Sequence, residues 1–176
     1  MKAYTLIELM ISVLLLGVVL LGGTSIFYQN LKVSGLSDVD ANLGSTLQAL
    51  LRTIEKDIRY SGITAVGLGT RDDCLLAGDN GYSGSSLSAT DLAGLETVYD
   101  LQEEKVASTS SQTGQTVYLS PGQVKIITLQ FTWYCTGNIS DKMKITIGAD
   151  STALSTGIKV ERNVSTEVNL LNSGLN

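Results

Sequence analysis

From Leu9 to Leu31 the chain runs for 23 residues without a charged side chain, and the residue just ahead of that run is a glutamate, Glu8. As a helix rising ~1.5 Å per residue, the run slightly exceeds a hydrocarbon core of roughly 30 Å, enough to cross a bilayer once. Glu8 then needs an explanation. A carboxylate within a bilayer costs about 2.5 to 3.5 kcal/mol or more, and is normally kept for a definite partner. Four plainer readings compete with such a role. Glu8 can lie among lipid headgroups, where a carboxylate also suits the positive end of a helix dipole. The run can begin an ordinary signal anchor, form a buried core helix, or be a secretory signal cut near Gly23 and Ser25. Against that cut, the leading residues hold one Lys and one Glu, and the apolar run resumes with Ile26, Phe27 and Tyr28.

A second pattern follows. Val39, Leu43, Leu47, Leu50, Ile54 and Ile58 recur at spacings of 4, 4, 3, 4 and 4, which stacks them on one helical face, while Gln48, Arg52, Glu55, Lys56 and Arg59 occupy the others. The pattern predicts an amphipathic helix within residues 34–62, led by Asp38 or Asp40 and stopped at Gly62. Its apolar face should lie on a sheet.

After Gly62 the texture changes to loops and strands. Residues 63–94 are rich in Gly, Ser, Thr and Asp, and the stretch from Gly78 to Ser86 is expected to be an irregular loop. The clearest strand runs from Gln123 to Cys135, with Ile127, Leu129, Phe131, Trp133 and Cys135 on one face and Thr128, Gln130, Thr132 and Tyr134 on the other. Met143, Ile145 and Ile147 alternate with Lys144 and Thr146 beyond a turn-rich stretch, which predicts an antiparallel partner. Gln115 to Leu119 and Gly157 to Leu171 are further strand candidates. The expected class is α+β: a long N-terminal helix, half transmembrane and half amphipathic, packed on an antiparallel β-sheet head.

Charge and chemistry narrow the function. Much of the 43% hydrophobic content sits in the first 31 residues, leaving enough for one modest head core. From Ile63 onward there are 7 basic and 12 acidic residues, with no basic run to track phosphates, so nucleic-acid binding by the head is disfavoured. The chain has no His, which removes the usual triads and the commonest general base. It has no glycine-rich phosphate loop with a trailing Lys-Ser/Thr. Asp72, Asp73, Asp79 and Asn80 supply oxygen atoms near glycines but lack EF-hand spacing, and are taken as polar loop residues. No catalytic residue, metal or cofactor is assigned. Asn138-Ile-Ser140 and Asn163-Val-Ser165 match glycosylation triplets, which arise often by chance. Cys74 and Cys135 are the only cysteines. In an oxidising compartment they would bridge a loop of about 62 residues, worth roughly 4 kcal/mol by chain entropy; the alternative is two separate buried thiols.

Residues 1–9, Met-Lys-Ala-Tyr-Thr-Leu-Ile-Glu-Leu, resemble the start of the type IV pilin-like family: a short basic leader, a small residue, an aromatic or Met, then Thr-Leu-Ile-Glu-Leu. The resemblance implies a leader of residues 1–3, cleavage after Ala3 by prepilin peptidase at the cytoplasmic side, and methylation of the new amino terminus on Tyr4. It differs from the family's pattern in its very short leader and in having Ala3 where Gly is usual. Residues 4–33 would then be the transmembrane and assembly helix, 34–62 the amphipathic helix, and 63–176 an extracytoplasmic β-rich head. The family's matching glutamate is implicated in assembly, and that role passes to Glu8. Leu50 to Gly62 looks like the Leu-x-x-Asp-Ile/Leu-Arg ending of W-type minor pilins and of J-type pseudopilins of type II secretion.

The function so implied is that of a structural minor subunit of a type IV pilus-like filament. Its partners would be other pilin or pseudopilin subunits, the peptidase, an inner-membrane assembly platform and the membrane itself. A secretion pseudopilin, a tip adhesin binding through the loop with Tyr82, and a signal-anchored enzyme are the alternatives. Gly22, Gly23, Thr24 and Ser25 suggest either an ordinary glycine-containing membrane helix or a segment that unwinds when the chain enters a fibre.

Overall fold

Both apolar patterns fall on a single helix. The structure, a computed structural model, describes residues 5–122, 124–135, 141–152 and 157–171. Helix α1 (Leu6–Ile58) is continuous over 53 residues, about 80 Å at 1.5 Å per residue. Asp38 and Asp40 therefore lie inside a helix and lead none, because nothing between the two patterns breaks the backbone ladder: the chain's one proline is Pro121. The helix also stops short of Gly62. Its last carbonyls are taken over locally: the Arg59 N–H donates to Glu55 O at 3.1 Å, Ser61 Oγ donates to Asp57 O at 2.7 Å, and the Leu171 N–H donates to Arg59 O at 2.9 Å. Gly62 instead opens the first strand.

The head holds nine strands among the described residues, in two antiparallel sheets where the sequence predicts one. Strands β1 (Gly62–Val66), β3 (Leu87–Thr90), β4 (Glu96–Gln102), β5 (Lys105–Ser110) and β6 (Thr116–Tyr118) form one sheet in the order β1-β3-β4-β5-β6. Strands β2 (Tyr82–Gly84), β7 (Lys125–Tyr134), β8 (Lys142–Thr152) and β9 (Lys159–Asn169) form the other in the order β2-β7-β8-β9. The stretch expected to be irregular therefore contains β2, which pairs with β7 through Tyr82 opposite Trp133. A short helix, α2 (Arg71–Ala77), lies between β1 and β2.

One core joins the layers. Leu43, Leu47, Leu50, Leu51, Ile54 and Ile58 of α1 are buried with Ile145, Ile147 and Ala149 of β8, Phe131 and Trp133 of β7, and Leu87, Tyr99 and Val106 of the larger sheet. The helix meets mainly β9 and β8. In β7 the predicted inward face is right from Leu129 onward and wrong at Ile127. A bulge between Ile126 and Thr128 shifts the register, so Ile126 is 1% exposed and Ile127 is 47% exposed. Opposite the bulge stands Gly148, where a Cβ would fall 2.2 Å from Asn163 Oδ1 and 3.2 Å from the Thr128 Cβ. The close passage of three strands there requires glycine.

Candidate functional site

The two ends of α1 have opposite surroundings. From Leu6 to Val33 the large apolar side chains are 54–80% exposed, all round the helix and clear of the head. An all-round apolar helix is buried in lipid or against other helices. By length and composition this one is able to cross a membrane. Two hydroxyls that interrupt the run are satisfied within it: Ser12 Oγ donates to Glu8 O at 2.8 Å, and Thr24 Oγ1 donates to Leu20 O at 3.0 Å. Glycines 17, 22 and 23 have open space where a Cβ would be. The helix passes through residues 22–25 without a break.

Glu8 occupies the first turn of this bare stem, as the only acidic residue there. Its carboxylate suits the unpaired N–H groups at a helix N-terminus. Among the described residues no side chain donates to it, and the next cation along the chain, Lys32, is 24 residues away, about 36 Å along the axis. Ala3 and Tyr4 lie outside the described residues.

Where the stem meets the head, polar contacts fix it at two heights. Arg162 Nη1, from β9, donates to Asp40 Oδ2 at 2.8 Å. Its guanidinium lies over Gly44, 2.9 Å from where a Cβ would be, so Gly44 makes room for the clamp. Further up, Tyr99 of β4 donates to Asp57 Oδ2 at 3.2 Å. Tyr99 is 4% exposed, and burial, reinforced by the Asp57 charge, raises its hydroxyl far above the ordinary value, so it stays a donor. The sequence marked Asp40 only as a cap candidate; Arg162 could have been found as an inward position in the alternation of β9.

Cys74, on α2, and Cys135, just after β7, are joined by a disulfide with Cα atoms 5.8 Å apart. The first cysteine thus sits on a helix where the sequence predicts loop. Thr70 and Asp73 start that helix with a capping box: the Thr70 N–H donates to Asp73 Oδ2 at 2.8 Å. The hydrogen bonds from Thr70 hold the Asp73 carboxyl below its usual range. Arg71 Nη1 pairs at 2.8 Å with Asp141, whose side chain is fully buried. Asp73 is therefore already engaged, and among the described residues no group of three or more candidate ligands gathers around a metal-sized space. Tyr82 is a half-buried strand residue packed against the core, not a free loop side chain: its ring lies 2.2 Å from where a Cβ on Gly69 would stand. Tyr82 therefore stands on a strand where the sequence predicts an irregular loop. Asn163 lies on β9, and Asn138 lies outside the described residues.

Residues 1–24 match the family model described as the prokaryotic N-terminal methylation motif. It is the signal motif of type IV pilins and pseudopilins, and the long apolar helix with antiparallel sheets is a pilin-like α+β architecture. The motif implies processing by prepilin peptidase, anchoring in a membrane before assembly, and assembly with other pilin-type subunits. No curated protein and no solved structure matches the chain.

Proposed function

We propose that this chain is a structural minor subunit of a type IV pilus-like filament, cut after Ala3, methylated on Tyr4 and assembled through α1. The observation that carries this reading is the bare stem with a single carboxylate, Glu8, in its first turn. Once Tyr4 is the amino terminus, its ammonium is four residues from Glu8 along the chain. Stems stacked with a small axial stagger then set one chain's amine beside its neighbour's carboxylate. An opposite pair ~4 Å apart is worth on the order of 4 kcal/mol at an intermediate dielectric, less the cost of desolvation. Lipid offers Glu8 no such partner, so leaving the bilayer for the bundle is favourable. The chain carries out no chemistry in this scheme; the energy for assembly comes from the membrane platform.

Glu8→Ala and Glu8→Leu test it. Each variant is expected to insert in the membrane at normal levels and to enter filaments poorly. Normal filament yield would refute the role of Glu8, and a mature chain beginning beyond residue 31 by mass spectrometry would refute the whole reading. The Leu50–Gly62 segment supports a J-type secretion pseudopilin equally well, with the same stem physics. Neighbouring genes separate the two: a retraction ATPase accompanies a pilus, and outer-membrane secretion components accompany a pseudopilus.

A further inference from the structure

Below the head, where α1 leaves the sheets, lies an open groove of about 980 Å³. Val39, Asn42 and Leu43 of the stem form one wall, and Pro121, Val124 and Asp150 belong to the other. Asp150 is 6% exposed. Its Oδ2 meets Lys159 Nζ at 3.2 Å, but that ammonium is shared with Glu161 at 2.9 Å. No hydrogen-bond donor reaches its buried Oδ1 among the described residues. The cation that lines the groove, Lys125, is committed to Glu104 at 2.7 Å. A buried carboxylate oxygen without a donor costs free energy that an incoming N–H group recovers. The groove thus combines an apolar wall, which suits an alkyl chain, with an acceptor at its edge, which suits a cation.

We propose that this groove receives Lys32 from the stem of a second copy of this chain, a contact that rests on the filament reading. Lys32 is the only cation of the stem between Lys2 and Arg52. Its four-carbon stem can lie on apolar surface while its ammonium reaches an acceptor. Within one chain Lys32 precedes Val39 by seven residues and Asn42 by ten, so it falls short of its own groove by about 10–15 Å. A neighbour displaced toward the head by that amount presents its Lys32 at the groove. The pairing of a Tyr4 amine with a neighbour's Glu8 sets a step of four residues, and two such steps, about 12 Å, fall inside the window. In both contacts the copy displaced toward the head is the one that supplies the cation, the Tyr4 amine to its neighbour's Glu8 and Lys32 to its neighbour's groove. The stem thereby finds partners for its two lone charges, the acid at its base and the base at its upper end.

Site-directed disulfide cross-linking in the full chain tests this. Cells co-express one copy carrying Lys32→Cys and another carrying Ser151→Cys, the latter on the groove wall; a parallel pair, Ile7→Cys with Ile11→Cys, reports stems stacked by four residues. The expected result is a reductant-sensitive dimer in both experiments, with the linked peptides identified by mass spectrometry. With a partner copy that keeps Lys32 and carries Val33→Cys instead, adding Asp150→Asn to the Ser151→Cys copy is expected to lower the dimer yield several-fold, while the head's thermal unfolding shows that it remains folded. A stem dimer without the Lys32–Ser151 dimer would overturn the groove contact and leave the filament reading standing. Failure of both would overturn the two together. Ser151→Cys captured by a different polypeptide, with Lys32→Cys unlinked, would overturn the choice of a second copy.

Discussion

At the scale of single residues, the bulge in β7 decides which of two adjacent isoleucines belongs to the core. Ile126→Ala is expected to cost about 2–5 kcal/mol, as deletion of a fully buried side chain does. Ile127→Ala should stay within about 0.5 kcal/mol, as an exposed position does. Denaturant unfolding of the two variants measures the difference, and equal costs would place the bulge elsewhere. Asp73 makes a second prediction. Its carboxyl is held below the ordinary carboxylate range by Thr70, so its contribution to stability is present above the unfolded-state pKa and is lost as pH falls through the lower folded value. Asp73→Asn should therefore flatten the acid side of the head's stability–pH profile, with little change near neutrality in the slope of that curve. An unchanged acid limb would mean the capping box contributes nothing.

Among the elements, those with a strong local period were legible and those built on distant pairing were not. Helix α1, β7, β8 and the strand near the C-terminus follow from spacing alone. The β4–β5 hairpin has no turn signal in the sequence because its two-residue turn is Glu103-Glu104, with φ of 49° and 59°, where Asn-Gly would mark one. These left-handed glutamates are held from outside: Glu104 O accepts the Ile126 N–H at 2.8 Å, and the Glu104 side chain pairs with Lys125. The segment from Arg71 to Gly84 was masked by its glycines and serines. The capping box and the cysteine on α2 were present as residue types, but the packing that gives them meaning comes from β7. The bridge itself is an element-scale constraint. Reducing it, or replacing Cys74 with Ser, is expected to lower head stability by up to ~4 kcal/mol, the chain-entropy value for a separation of 61 residues. A thermal melt with and without reductant reads this, and identical melts would show that the loop is already closed by other contacts.

For the whole molecule, the boundary between buried and bare helix matters more than the split drawn at residue 34. Head contacts begin near Asp40, where Arg162 pairs with the stem, and the buried face starts at Leu43. A chain beginning at Ser37 retains both polar contacts and the entire apolar face, so it should be soluble, monomeric and cooperatively folded, while being unable to enter filaments. Light scattering and thermal unfolding check this; aggregation would show that the bare stem also shields the head. That the head contains two sheets was not legible, because which strand edges meet is set by long-range pairing, and alternation alone reports only faces. That the stem is long and apolar enough to cross a membrane was legible, since length and composition alone decide it.

The helix that leaves the sheets is the same unbroken helix that carries Glu8, with no loop between anchor and display. A push or pull applied at its base is therefore carried upward through one backbone ladder and handed to β9 and β4 through Arg162 and Tyr99. Such a strut has no compliant joint to dissipate load, so in the filament proposed above traction would arrive at the head undamped.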